Sequence, residues 1–158
     1  TAMIYRLIAW MSLGLWLATV VVFAVLFVRG STAPATDGRR TILLSSAERD
    51  LVLGEMRTML GSVQGIVQGV HANDLKKVTS AARASGMAAA VDVNPALMAK
   101  LPLEFKQLGM SVHHGFDDLA DAVDKGATAN DALARLEVQL VTCVACHASF
   151  RVDAGSAR

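Results

Sequence analysis

Two different hydrophobic patterns divide the chain. From Leu7 to Val28, 22 consecutive residues carry no charge, whereas beyond Ser45 apolar residues recur every three or four positions. At 1.5 Å per residue the first run makes a helix about 33 Å long, which is enough to cross a hydrocarbon core of ~30 Å. We therefore expect a single membrane-spanning helix, followed by a linker rich in Gly, Ser, Thr, Pro and Asp over residues 29–44.

The periodic part begins with two predicted helices. Ser45, with Glu48 three positions on, is a capping-box pattern that opens a helix of about 26 residues ending near His71. Its apolar stripe consists of Val52, Met56, Met59, Val63, Ile66 and Val70, flanked by Leu53, Leu60 and Val67. A second helix is expected from residues 73–74 through about Val91, with Asn94-Pro95 as its breaker.

Two further helices complete the predicted fold. The third starts at Leu101-Pro102 and stops at Gly126, and the fourth opens at Thr128 with Asp131. Because the connections are mostly short, the four helices are expected to form an antiparallel bundle. The sequence thus predicts an all-α protein with four parts: a transmembrane signal-anchor (1–28), a linker (29–44), a four-helix bundle (45–152) and a C-terminal tail (153–158).

Charge and composition exclude several other classes of protein. Residues 31–158 carry 13 basic and 14 acidic side chains, a net of −1, and contain no basic run. Such a domain is poorly suited to the phosphates of nucleic acid, so no nucleic-acid partner is expected. Only 5% of residues are aromatic and the β-branched residues after position 31 are scattered, which argues against a β-sandwich or a parallel sheet.

Both cysteines of the chain lie in the pentapeptide Cys143-Val144-Ala145-Cys146-His147. Cys-x-x-Cys-His is the attachment signature of covalent c-type haem. On a helix, two thiols three residues apart can meet the two haem vinyl groups, and His147 lies four residues after Cys143 on the same face. We therefore predict one haem c, with thioether bonds to Cys143 and Cys146 and with His147 as the proximal iron ligand.

Other interpretations of the same residues are weaker. A disulfide between Cys143 and Cys146 fits a helix badly, and a thioredoxin-like site needs a βαβ context. Zinc needs four ligands, so that His113 or His114 would have to join the three residues of the motif. One face of the third helix is acidic and consists of Asp117, Asp118, Asp121 and Asp124. We interpret it as a solvated surface in preference to a docking site for a basic redox partner.

Haem attachment also fixes the expected orientation in the membrane. Arg6 on one side of the span and Arg29, Arg39 and Arg40 on the other do not decide it. Covalent haem attachment belongs on the outer face of a bacterial cytoplasmic membrane. The sequence therefore predicts a single-pass protein of the inner membrane with a cytoplasmic N-terminus and a periplasmic haem domain.

With its haem motif on the last helix, the chain resembles the cytochrome c-prime family (class II c-type cytochromes) over about residues 46–152. The resemblance rests on the motif and on three further series: Arg49, Leu53, Met56 and Leu60-Gly61 in the first helix; Leu101-Pro102, Phe105-Lys106, His113, Phe116 and Leu119 in the third; and Phe150-Arg151, where the family usually has Tyr-Arg. The membrane anchor, Phe150 in place of Tyr, and Glu48 in place of an aromatic residue depart from the family pattern.

The resemblance implies how the haem surroundings are built. Arg49 lies near a haem propionate, Arg151 belongs to the haem surroundings, and Leu53, four positions after Arg49, occupies the distal side of the iron. Leu53 there implies a five-coordinate, high-spin iron. If the register differs by three residues, Met56 takes the place of Leu53 and the iron is six-coordinate.

Two functions follow from these alternatives. The first is electron transfer by a membrane-anchored monohaem cytochrome, as a subunit of a membrane redox complex or as its tethered partner. The second is binding of nitric oxide or carbon monoxide for gas buffering or sensing. No nucleophile–base pair or inward pair of carboxylates is recognisable, so an enzyme is not predicted. The oligomeric state stays open.

Overall fold

The computed structural model describes residues 2–90 and 94–155, and this part of the chain is mostly helical. The helices are α1 (Ala2–Arg29), α2 (Ser46–His71), α3 (Leu75–Arg83), α4 (Pro95–Lys100), α5 (Leu103–Asp124) and α6 (Ala129–Ser149), with a 3₁₀ turn at Met87–Ala90. Three strands accompany them: β1 (Thr32–Pro34), β2 (Arg40–Leu44) and β3 (Phe150–Ala154).

Helix α1 is exposed from Met3 to Arg29. Met3–Arg29 has a mean hydropathy of 2.5 in its most apolar window, and none of that window is buried. Within the described residues it is the one helix that is long and apolar enough to span a membrane. The prediction of an N-terminal apolar helix is therefore confirmed.

Four helices enclose the larger of two apolar clusters. Helix α2 packs against α3 and α6, and α5 packs against the same two helices. Phe116 and Leu119 of α5 are each 1% exposed, and burial of each stabilises the fold by about 1.5–3 kcal/mol. Their neighbours in this first cluster include Ile66, Val78, Ala82, Val112, Ala132 and Leu136.

Both predicted capping boxes are present. Ser45 accepts the backbone N–H of Glu48 while the Glu48 carboxylate accepts the backbone N–H of Ser45, and Thr128 and Asp131 form the same reciprocal pair. Each pair satisfies backbone donors that have no partner inside the helix. The starts of α2 and α6 and the end of α2 at His71 therefore agree with the sequence prediction.

The segment between α3 and α5 differs from the prediction of one helix through about Val91. Helix α3 ends at Arg83, and the Asp117 carboxylate accepts the N–H of Met87 at 2.8 Å, which stabilises the 3₁₀ turn there. Val91 itself lies outside the described residues. No sequence pattern predicted α4, which Asn94 caps by accepting the N–H of Ala96 at 2.8 Å.

Strands β1 and β2 of a three-stranded sheet occupy the segment interpreted as a linker, and β3 spans the predicted end of the bundle and the start of the predicted C-terminal tail. The all-α prediction did not include this sheet. Strand β2 pairs antiparallel with β1 and parallel with β3. Ile42 and Leu44 are 0% and 2% exposed, because they belong to the second apolar cluster, whose buried members are Ile42, Leu44, Val52, Leu97, Leu101, Phe105 and Phe150. Strand β3 follows α6 without a loop, so the sheet fixes the C-terminal end of the helix that carries the cysteines.

Candidate functional site

An apolar pocket lies between the two apolar clusters of the domain. Cys143 packs against the first cluster and Cys146 against the second, and both line the pocket together with His147. The cavity volume is about 120 Å³. The opposite walls come from α2, α4 and α5 and include four methionines: Met56, Met59, Met98 and Met110.

The two cysteines are free and partly buried. Burial raises the pKa of both thiols, and the nearby Cys143 and Glu104 raise that of Cys146 further. Both side chains are therefore protonated at neutral pH rather than thiolates. Among the described residues, no group of three or more His, Cys, Asp or Glu side chains could hold a metal ion by itself, so the zinc interpretation gains no support.

His147 lies in the last turn of α6, where the Arg39 guanidinium caps the C-terminal end of the helix. Arg39 donates from Nη1 to the carbonyl oxygens of His147 at 3.3 Å and of Phe150 at 3.5 Å. Asp37 accepts from Arg39 at 2.7 Å, and that bond lowers the pKa of the Asp37 carboxyl. A cation at a helix C-terminus satisfies carbonyls that lack intrahelical partners and complements the helix dipole. Arg39 thus orients the turn that carries Cys146 and His147.

The motif residues fit a covalently held haem in their chemistry. Two sulfurs and an imidazole share one wall of a mostly apolar pocket, whose lining also includes Glu55, Lys106 and His113. The cavity volume is below the ~300–1,000 Å³ of most cofactor and drug sites, so a porphyrin could enter only if the walls moved apart.

The structure places only some of the other predicted site residues in the pocket lining. Met56 lines the pocket, as does Val52, whereas Leu53 is half-buried and does not line it. The structure therefore brings Met56, and not Leu53, to the three motif residues.

The two arginines assigned to the haem surroundings also lie outside the pocket lining. Arg49 pairs with its neighbour Asp50 at 3.5 Å. Arg151, in β3, pairs with Asp153 at 2.9 Å and with Asp37 at 3.8 Å. In this structure both guanidinium groups contact surface carboxylates, and their placement toward a haem propionate stays a prediction.

His113, which the sequence offered as a zinc ligand and as part of the family's third-helix series, lines the pocket. It is 5% exposed, and its Nδ1 lies 2.9 Å from the carbonyl oxygen of Ser85. Ser85 in turn shares a hydrogen bond of 2.7 Å with the hydroxyl of Ser62. In the described part of the chain no buried side-chain nitrogen or oxygen lacks a hydrogen-bond partner.

The acidic face of α5 is partly neutralised by an arginine of α3. Arg83 forms ion pairs with Asp117 at 3.4 Å and with Asp124 at 3.1 Å, and it also pairs with Asp121. Their hydrogen bonds to Arg83 raise its pKa above the usual value, and Arg83 lowers the pKa of Asp121. This partial neutralisation favours the interpretation as a solvated surface over a docking site for a basic partner.

In comparisons with known proteins, no protein-family model, no curated protein and no solved structure matches this chain.

Proposed function

We propose that this protein is a membrane-anchored, periplasmic monohaem c-type cytochrome that transfers electrons, as a subunit of a membrane redox complex or as its tethered partner. The observation that carries the proposal is the position of Cys143, Cys146 and His147 on one wall of an apolar pocket at the end of α6. The packing of α2, α3, α5 and α6 around one core supports an antiparallel four-helix bundle of the cytochrome c-prime type.

Each residue of the motif has a separate task in this proposal. Cys143 and Cys146 would hold the haem through thioether bonds, each formed by net addition of a sulfur and a hydrogen across one vinyl group. His147 would supply an imidazole nitrogen to the iron from the end of a helix to which Arg39 is hydrogen-bonded. Bound haem would supply reversible one-electron chemistry, and the apolar walls would limit the access of water to it.

The membrane helix supports electron transfer more than gas buffering. Tethering raises the local concentration of the domain near a redox partner in the same membrane. The inner membrane of a bacterium, with α1 entering from the cytoplasm, is the location that haem attachment requires. Gas binding is the second candidate, because Val52, Leu97 and Leu101 give the pocket hydrocarbon walls that could leave one side of the iron open.

Haem staining after denaturing electrophoresis of the full chain tests the proposal. Covalent haem should survive in the unchanged protein and in Val144→Ala, which alters an exposed residue between the cysteines. It should be lost when Cys143 and Cys146 are both replaced by Ala. A chain that binds no covalent haem during expression with the attachment machinery would overturn the proposal.

The spectrum of the ferrous protein, with and without carbon monoxide, then separates the two candidates. Sharp α and β bands that ignore the gas indicate a sixth protein ligand and electron transfer. A broad band that shifts on adding the gas indicates an open site and gas binding.

A further inference from the structure

A lysine inside the domain holds the end of the membrane helix. Lys106 of α5 is only 7% exposed, and its Nζ donates to the carbonyl oxygens of Phe27 at 2.9 Å and of Met98 at 3.3 Å. The same Nζ lies 3.3 Å from the centre of the Phe27 ring. The Phe27 carbonyl is among the last four of α1, which lack partners within the helix and favour a cation.

The chain that leaves α1 is tied to the domain within two residues. Gly30 has φ +62°, and a Cβ there would lie 2.6 Å from the backbone nitrogen of Pro102. Ser31 donates its N–H to the carbonyl of Lys100 at 2.7 Å and accepts the N–H of Leu43 at 2.8 Å. No length of free linker separates the end of α1 from the folded domain.

The residues that hold α1 also line the pocket. Lys106 and Met98 contribute to its wall, as do Leu97 of α4, Phe105 of α5 and Leu101 between the two helices. At most about 3.6 Å per residue, Gly30 and Ser31, the two residues that follow Arg29, span only ~7 Å. The pocket therefore cannot be far from the point where α1 leaves the membrane.

We infer that Lys106 is a positioning residue that joins the membrane helix rigidly to the domain and holds the pocket beside the membrane surface. The inference rests on the proposed membrane anchor and deepens the proposed function, because it fixes where the haem edge lies. A cytochrome on a flexible tether sweeps a volume above the membrane. Here the pocket keeps one height and one orientation, which suits exchange with a redox protein embedded in the same membrane.

Hydrogen exchange of the full chain in lipid nanodiscs tests the rigid connection. A peptide covering residues 29–34 should be protected in the unchanged protein, since Gly30 and Ser31 both donate their N–H groups to carbonyls. Lys106→Met should accelerate exchange in this peptide at least tenfold while peptides of α6 keep their rates. Lys106→Arg, which retains a cationic donor, should restore protection, and Lys77→Met, at an exposed lysine of α3, should change nothing.

Proximity to the membrane is tested separately on the unchanged protein, so a variant that fails to fold leaves the inference testable. Methionine-methyl NMR in nanodiscs with and without gadolinium-chelating lipids should show stronger broadening of Met98 than of Met87. The backbone of Met87 is bound to Asp117, eleven residues or about 16 Å along α5 from Lys106. Equal broadening of the two methyls, or rapid exchange of residues 29–34 in the unchanged protein, would overturn the inference.

The same samples separate this inference from the proposed function. Release of the chain from membranes by alkaline carbonate would defeat the membrane anchor and, with it, the inference. A protected junction and a broadened Met98 methyl in a chain without covalent haem would leave Lys106 as the positioning residue and refute the cytochrome assignment instead.

Discussion

The Nδ1 atom of His113 lies 2.9 Å from the carbonyl oxygen of Ser85. A carbonyl only accepts, so Nδ1 is the donor in this bond. The imidazole ring lines the pocket. Through Ser85 it connects the pocket to the buried hydrogen bond between the hydroxyls of Ser62 and Ser85.

Replacement of His113 by Ala should lower the free energy of unfolding by about 1–3 kcal/mol, because the Ser85 carbonyl loses its donor inside the domain. Chemical denaturation of the full chain in detergent measures this. His114→Ala, at the exposed neighbouring position, is the matched control and should change stability by less than about 0.5 kcal/mol. Equal effects of the two substitutions would show that the Ser85 contact does not stabilise the fold.

Substitutions at Leu53 and Met56 should separate the two assignments of the distal side. Met56 lines the pocket and Leu53 does not, so Met56→Leu should change the ferrous spectrum and increase binding of carbon monoxide. Leu53→Met should leave both unchanged, although the family resemblance implies that it would create a sixth ligand. Carbon monoxide titrations of the two variants check this, and a response confined to Leu53→Met would restore Leu53 to the distal side.

The stability of the domain should depend on pH through Glu48. Hydrogen bonds from Lys100, at 2.7 Å, and from Ser45 lower the pKa of Glu48 from 4.5 to about 2. The folded state therefore stabilises the ionised Glu48 carboxylate more than the unfolded chain does. This contribution is complete above pH 4.5 and is lost as the pH falls toward about 2.

Glu48→Gln should accordingly have a lower melting temperature than the unchanged protein at pH 7. The difference between the two melting temperatures should shrink as the pH falls below about 4. Thermal unfolding followed by circular dichroism from pH 7 to pH 3 measures the difference. Glu137→Gln, at an exposed position of α6, should give no pH-dependent difference. A constant gap between Glu48→Gln and the unchanged protein across this range would contradict the role of the ionised carboxylate.

Two glycines with positive φ provide a matched pair for the junction after α1. Gly38 has φ +83° and open space around it, so Gly38→Ala should cost about 1–2 kcal/mol through its backbone alone. Gly30→Ala adds a close approach to the backbone of Lys100, Leu101 and Pro102 and should cost more. Denaturation of both variants measures the difference, and equal losses would show that the close packing at Gly30 does not constrain the chain.

Local features of the sequence predicted local structure well. The capping boxes at Ser45 and Thr128 involve residues three positions apart, and both were recognisable without any knowledge of the rest of the fold. The helical period also placed Val52, Met56 and Met59 on one stripe, and all three line the pocket. The family register instead selected Leu53, which only flanks that stripe.

Features that depend on distant partners escaped prediction. Strand β2 pairs with β3, and Arg40 lies opposite Phe150, 110 positions further along the chain. The short run of β2 has no alternation long enough to reveal a strand by itself. The contact of Lys106 with Phe27 also joins residues 79 positions apart, so the sequence did not reveal it.

On the proposed function, the short connection between α1 and the domain would also determine how the protein meets a redox partner. A domain fixed to α1 at Lys106 and Ser31 would travel with a helix that spans the membrane, so encounters would depend on lateral diffusion in the plane of the bilayer and on rotation about its normal. Collision rates would then follow lipid viscosity and the crowding of the membrane more than the viscosity of the surrounding water. Electron flow through such a protein would be controlled by the membrane in which it is embedded.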